Sequence, residues 1–86
     1  MNDIEKFLLE RGNTHGDWKE QAKIASNIKL AMMCGRNYKN MPSYVTEGLD
    51  TIAVKIARAV SGDWTEKDHY KDIAGYATLI EKALSK

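Results

Sequence analysis

The chain has 86 residues, with 13 Lys and Arg against 12 Asp and Glu for a formal charge of +1, 43% hydrophobic residues and 29% charged ones. That length suits one helical domain over residues 1–86 and leaves no room for a second. The near-neutral charge makes nucleic acid an unlikely main partner, and the mixed composition excludes both disorder and a membrane-embedded class. One Cys and two His exclude an internal disulfide and a Cys/His zinc site within one chain, so a reducing, cytoplasmic setting is expected.

No apolar run approaches the roughly 18 residues of a membrane span, so no membrane partner is expected. Met1-Asn2-Asp3-Ile4-Glu5 also lacks the basic-then-apolar pattern of a signal peptide. One proline and six glycines point to helices, and the punctuation divides the chain into four of them.

The first helix is short. Ile4, Phe7 and Leu8 recur at i, i+3, i+4, which predicts a helix from Asp3 to Arg11 stopped by Gly12. Asn13-Thr14-His15-Gly16 then reads as a turn. Asp17 is placed to cap the second helix, with Glu20 three residues on completing a capping box. Its inward face is Ile24, Ala25, Ile28, Ala31 and Met32, extended by Trp18 and Ala22. Cys34 reads as a small core residue at its end, and Gly35 as the stop.

A loop from Arg36 to Ser43 follows. Its Arg36-Asn37-Tyr38-Lys39-Asn40 stretch mixes cations with an aromatic, a composition that grips nucleic acid in some proteins and is merely solvated in most. Pro42 disfavours helix at Met41, and Ser43 or Thr46 is expected to cap the third helix. The stripe Leu49, Ile52, Ala53, Ile56, Ala57 and Val60 gives that helix a clean 3.6-residue period, broken by Ser61-Gly62-Asp63. Thr65 with Asp68 marks the start of a fourth helix that runs to Leu84.

The fourth helix carries two apolar stripes. Ile73, Ala77, Ile80 and Leu84 form one, and Tyr76, Leu79 and Ala83 form a second beside it. One core cannot easily cover both. The expectation is a homodimer, or another homo-oligomer, packed through the fourth helix with help from the third; the alternative is that the first helix covers the second stripe. The fold class is therefore all-α, a four-helix bundle-like domain with an antiparallel hairpin of helices three and four.

Acidic pairs carry the chemistry. Glu47 and Asp50 lie three apart on the third helix, and Asp68 and Asp72 four apart on the fourth, so each pair projects from one face. Four such carboxylates on neighbouring helices suit Mg2+, which binds hard oxygen ligands and couples them to substrate phosphates. A hairpin bending near Gly62 or Asp63 also puts Arg58 opposite Asp68 and Lys55 opposite Asp72, where they serve as bracing ion pairs or as phosphate contacts. His15 is the candidate catalytic residue, since a neutral imidazole moves protons near pH 7. His69, early in the fourth helix, reads as solvent-facing.

Several pieces stand out together: His15-Gly16-Asp17, then Leu49 to Arg58 ending in Lys55-Ile56-Ala57-Arg58, then Gly62-Asp63, then Asp68 to Ala77 ending in Asp72-Ile73-Ala74-Gly75-Tyr76-Ala77. Together they resemble a family of small phage and prophage helical proteins of unknown function. That family's pattern runs HGD, KIAR, GD and DxWxDIAGYA. Tyr70 stands where tryptophan is usual and Gly48 where alanine is common.

More remotely, the layout is similar to the MazG-like all-α nucleotide pyrophosphohydrolases. Those enzymes hold magnesium with an ExxE pair on one helix and an ExxD pair on the next, and cleave nucleoside triphosphates to monophosphate and pyrophosphate. The resemblance puts Asp72 at the final Asp and His69 at its partner position. Either Lys55 and Arg58 or Glu47 and Asp50 then stand for the first pair. It implies a phage-type accessory protein that binds or hydrolyses a nucleoside triphosphate with Mg2+. The site would be Glu47, Asp50, Asp68 and Asp72 on the metal, Lys55 and Arg58 on the phosphates, and His15 in catalysis. The competing expectation is a non-enzymatic module that binds a phage or host protein through an apolar helix face.

Overall fold

The computed structural model describes residues 2–85. Among them it has no strands and four α-helices: α1 (Asp3–His15), α2 (Trp18–Met33), α3 (Ser43–Ser61) and α4 (Lys67–Leu84), with one 3-10 turn at Tyr38–Asn40 between α2 and α3. Among the described residues no helix is long and apolar enough to cross a membrane.

Helix starts follow local hydrogen bonding. Asp17 caps α2, its carboxylate accepting from the Glu20 backbone N–H at 3.0 Å. Ser43 does not cap α3 but is its first residue. The cap is Pro42, whose carbonyl accepts from Val45 and Thr46 at 3.0 and 3.1 Å, while its ring fixes its own φ at −68°. Thr65 likewise stays outside α4. Its N–H and hydroxyl are both drawn to the Asp63 carboxylate, at 2.9 and 2.6 Å, which closes a local turn. Glu66 becomes the cap, accepting from the Asp68 N–H.

α1 differs from its expected bounds. It runs through Gly12, which a helix tolerates at about 1 kcal/mol relative to Ala, and ends at Gly16. Gly16 has φ +83°, a left-handed conformation that L side chains rarely adopt. The expected turn Asn13 to Gly16 is therefore the last turn of α1, and His15 is its final residue.

α3 is the hub: α4 packs along one side and α2 along the other, while α1 rests on α2 and α3. The α3–α4 hairpin is antiparallel, with Lys55 beside Asp72 near the bend and Gly48 beneath Ile80 further down. A Cβ on Gly48 would lie 2.6 Å from Ile80 Cδ1, so the small residue makes room for the large one. α1 lies on the α2–α3 side and leaves Tyr76 and Leu79 on α4 exposed.

The core is thin. Its buried apolar residues are Ala25, Ala53, Ala57 and Ala59; Gln21 and His69 are the buried polar ones, and no large side chain is fully enclosed. Of the expected α2 face, Ala25 is buried and Ile24, Ile28 and Met32 are half-buried, whereas Trp18, Ala22 and Ala31 are exposed. Cys34 is exposed rather than in the core, its thiol 3.6 Å from the Leu30 carbonyl.

Candidate functional site

The ends of α1 and α3 meet at backbone contact. A Cβ on Gly62 would overlap the Thr14 carbonyl oxygen, and a Cβ on Gly16 would overlap the Ser61 carbonyl, so the two glycines of the His-Gly-Asp and Gly-Asp motifs are what let the chains touch. The Thr14 carbonyl accepts the Asp63 N–H at 2.9 Å. It also accepts from His69 Nε2 at 3.2 Å, which fixes the proton on that nitrogen. His69 is consequently buried, not solvent-facing: a polar partner on α1 draws its ring inward.

This crossing, together with the first turns of α4, walls a depression of about 330 Å³. α1 contributes Thr14 and His15, α3 contributes Lys55 and Arg58, and α4 with its cap contributes Glu66, Asp68, His69 and Asp72. Five side chains singled out from the sequence, His15, Lys55, Arg58, Asp68 and Asp72, therefore line one pocket. Helical spacing places Lys55 with Arg58 and Asp68 with Asp72, and the hairpin brings the two pairs together.

Lys55 Nζ lies 3.1 Å from Asp72 Oδ2, an ion pair in which the lysine is largely shielded and the aspartate half exposed. The matching pair of Arg58 with Asp68 does not form among the described residues. Arg58 stands at the boundary between this pocket and a groove along α2, and its Nε is buried without a hydrogen-bond partner. His15 Nδ1 is buried and unpartnered as well. The His15 and His69 rings lie 5.7 Å apart.

The local field at His15 is positive. Burial first, then Arg58, Arg11, His69 and Lys55, hold its pKa below the ordinary value of 6.5, so the ring is neutral at pH 7. Burial and Arg11 likewise pull Arg58 down, while Asp72 acts in the opposite sense. Glu66 and Asp72 are already engaged, the one with the α4 N-terminus and the other with Lys55.

The acids do not gather. Glu47 lines a separate, apolar depression with Tyr44, Gly48, Tyr76 and Leu79, and Asp50 belongs to neither depression. No three His, Cys, Asp or Glu side chains among the described residues converge as a metal-binding group. Thus Glu47 and Asp50 are not brought to Asp68 and Asp72, and the residues facing Asp72 from α3 are cationic. The loop from Arg36 to Asn40 is remote from the pocket lining, and its residues are exposed apart from half-buried Tyr38.

Thr14, Glu66 and inward-facing His69 were not legible as site residues. The signal that points to them is the pair of glycines, since two Gly-Asp steps in one short chain mark places where backbones approach. No family model, no curated protein and no solved structure matches this chain.

Proposed function

We propose that the α1–α3–α4 pocket binds the phosphate groups of a nucleotide, with Arg58 and His15 as the principal contacts and Lys55 as a flanking charge. The observation that carries this reading is a pair of buried, unpartnered nitrogens, Arg58 Nε and His15 Nδ1, on two residues that line the same depression. A buried polar group left unsatisfied costs about 1–3 kcal/mol, and a guanidinium is suited to phosphate oxygens. An anion entering on the His15 side gives Arg58 an acceptor and meets the cations that act on His15, with the carboxylates of Glu66, Asp68 and Asp72 on the α4 wall. The anion's charge favours uptake of a proton from solvent by His15, which then becomes a second donor.

Glu47 and Asp50 do not line this pocket, and no step is routed through a metal. That the phosphates belong to a nucleoside triphosphate, and that this is a phage-type accessory protein acting in the host cytoplasm, is what the resemblance implies; the pocket supports the anion contact alone. A non-enzymatic module that binds a phage or host protein is the second reading. It draws support from Tyr76 and Leu79, exposed beside half-buried Ile80.

A titration followed by calorimetry tests the first reading, using a panel of nucleoside triphosphates and inorganic triphosphate, with and without magnesium. Wild-type protein is expected to bind. Arg58→Gln should lose roughly 10- to 100-fold in affinity, the range for a hydrogen bond to a charged group, with its circular dichroism unchanged. Heat and melting temperature both unmoved at millimolar ligand would remove the reading.

A further inference from the structure

More surface is exposed than a compact folded chain of this size retains. The accessible surface is 6456 Å² for a mass of 9.7 kDa, where the scaling for folded monomers gives about 5,100 Å². The difference, roughly 1,300 Å², exceeds the ~800 Å² that each partner loses in a standard interface. Shape agrees with area. The radius of gyration is 14.8 Å, against about 12 Å for a compact domain of this length.

Among the described residues, seven of the eleven large apolar residues that are more than half exposed lie on α1 and α2. Ile4, Phe7, Leu8 and Leu9 are all more than half exposed, as are Trp18 at 71%, Leu30 at 57% and Met33 at 56%. The α2 residues border a groove of about 360 Å³ whose other wall is Val54 and Arg58 of α3.

Along α2 the groove residues Trp18, Ala22, Ser26, Lys29 and Met33 fall on one helical face, all exposed except half-buried Lys29, with Trp18 and Met33 at the ends and small Ala22 and Ser26 between them. That distribution is self-complementary. A two-fold axis passing between Ala25 and Ser26 sets Trp18 of one copy level with Met33 of the other, a favourable sulfur–aromatic contact. It also sets Ala22 level with Lys29, whose aliphatic stem can lie over the small residue while its ammonium reaches water. Small central residues let the two helices approach closely, and an isologous contact of this kind closes as a dimer.

We propose that a second copy of this chain covers the α1–α2 face, with α2 packed antiparallel on α2 about an axis near Ser26. The inference goes beyond the nucleotide pocket and stands without it. It also moves self-association from the α4 face, where the sequence pattern places it, to the α1–α2 face, where more of the strongly exposed large apolar residues lie.

Sedimentation equilibrium across a wide concentration range tests it. The wild type should weigh about twice 9.7 kDa. Ser26→Arg puts two like charges at the axis and should raise the dissociation constant roughly 100-fold. Ser26 is exposed and Arg is the better helix former, so the protomer should keep its helicity. Leu79→Arg on α4 should leave the dimer intact. As a measurement independent of that variant's folding, Ser26→Cys in a Cys34→Ser background should be joined rapidly across the axis by a short bismaleimide. A wild type that stays at one chain's mass, a dimer lost with Leu79→Arg but not with Ser26→Arg, or failure of the cross-link would each overturn the proposal.

Discussion

At the scale of single residues, His15 links stability to pH. Unfolded, its imidazole takes up a proton near pH 6.5, whereas in the fold burial and the neighbouring cations delay protonation to lower pH. Between those two values the unfolded state binds more protons, so stability is complete above pH 6.5 and declines as the pH falls through that window. Urea midpoints at pH 7.5 and 5.5 should therefore differ, and the difference should shrink in His15→Gln. An equal loss in wild type and variant would show that some other group titrates. Phosphate binding has the reverse sense, since an anion favours the protonated ring; affinity should rise as pH falls over the same interval.

What could be read of the pocket from sequence also belongs at this scale. Lys55 and Arg58, or Asp68 and Asp72, can be placed together because helical spacing and a short hairpin are local facts. His69 could not, because its burial depends on the Thr14 carbonyl, 55 residues away along the chain. Arg58 likewise lacks its expected partner because it stands between two depressions, and no local pattern reports that.

At the scale of elements, the crossing of α1 with the end of α3 depends on missing side chains. Gly62→Ala would force a methyl group into the Thr14 carbonyl, backbone that cannot rotate away. Overpacking of that kind costs about 1–3 kcal/mol. Gly75 is the internal comparison: it lies within α4 and a Cβ there meets nothing within 4 Å. Gly75→Ala should stabilise the protein by about 0.4–1 kcal/mol, through lost freedom of the unfolded chain. Denaturant unfolding of the two variants should thus move in opposite directions, and a neutral Gly62→Ala would mean that the helix ends are not in contact.

The same scale explains which boundaries were legible. α2 began where Asp17 could cap it because a cap is decided by neighbours in sequence. α1 overran Gly12 because its true stop, Gly16, is set by the positive φ and by the α3 backbone packed against it. Thr65 looked like a cap by type, yet Asp63 two residues earlier holds its hydroxyl, and helix entry passed to Glu66.

For the whole molecule, a core of alanines carries a thermodynamic consequence. Burial of Leu, Ile, Phe or Trp contributes about 1.5–3 kcal/mol per side chain, and Ala contributes much less. A domain whose enclosed apolar residues are Ala25, Ala53, Ala57 and Ala59 therefore draws little of its stability from within one chain. If the second copy supplies the remainder, the paired chains melt above the free protomer, and stability follows concentration by mass action. Each tenfold dilution then removes about 1.4 kcal/mol per dimer, which for two chains of this length lowers the melting temperature by roughly 3–5 °C. Calorimetric melts over a hundredfold range of concentration should show that drift in the wild type. A melting temperature independent of concentration would mean that the alanine core suffices by itself, and the exposed Trp18, Leu30 and Met33 would then have no part in holding the fold together.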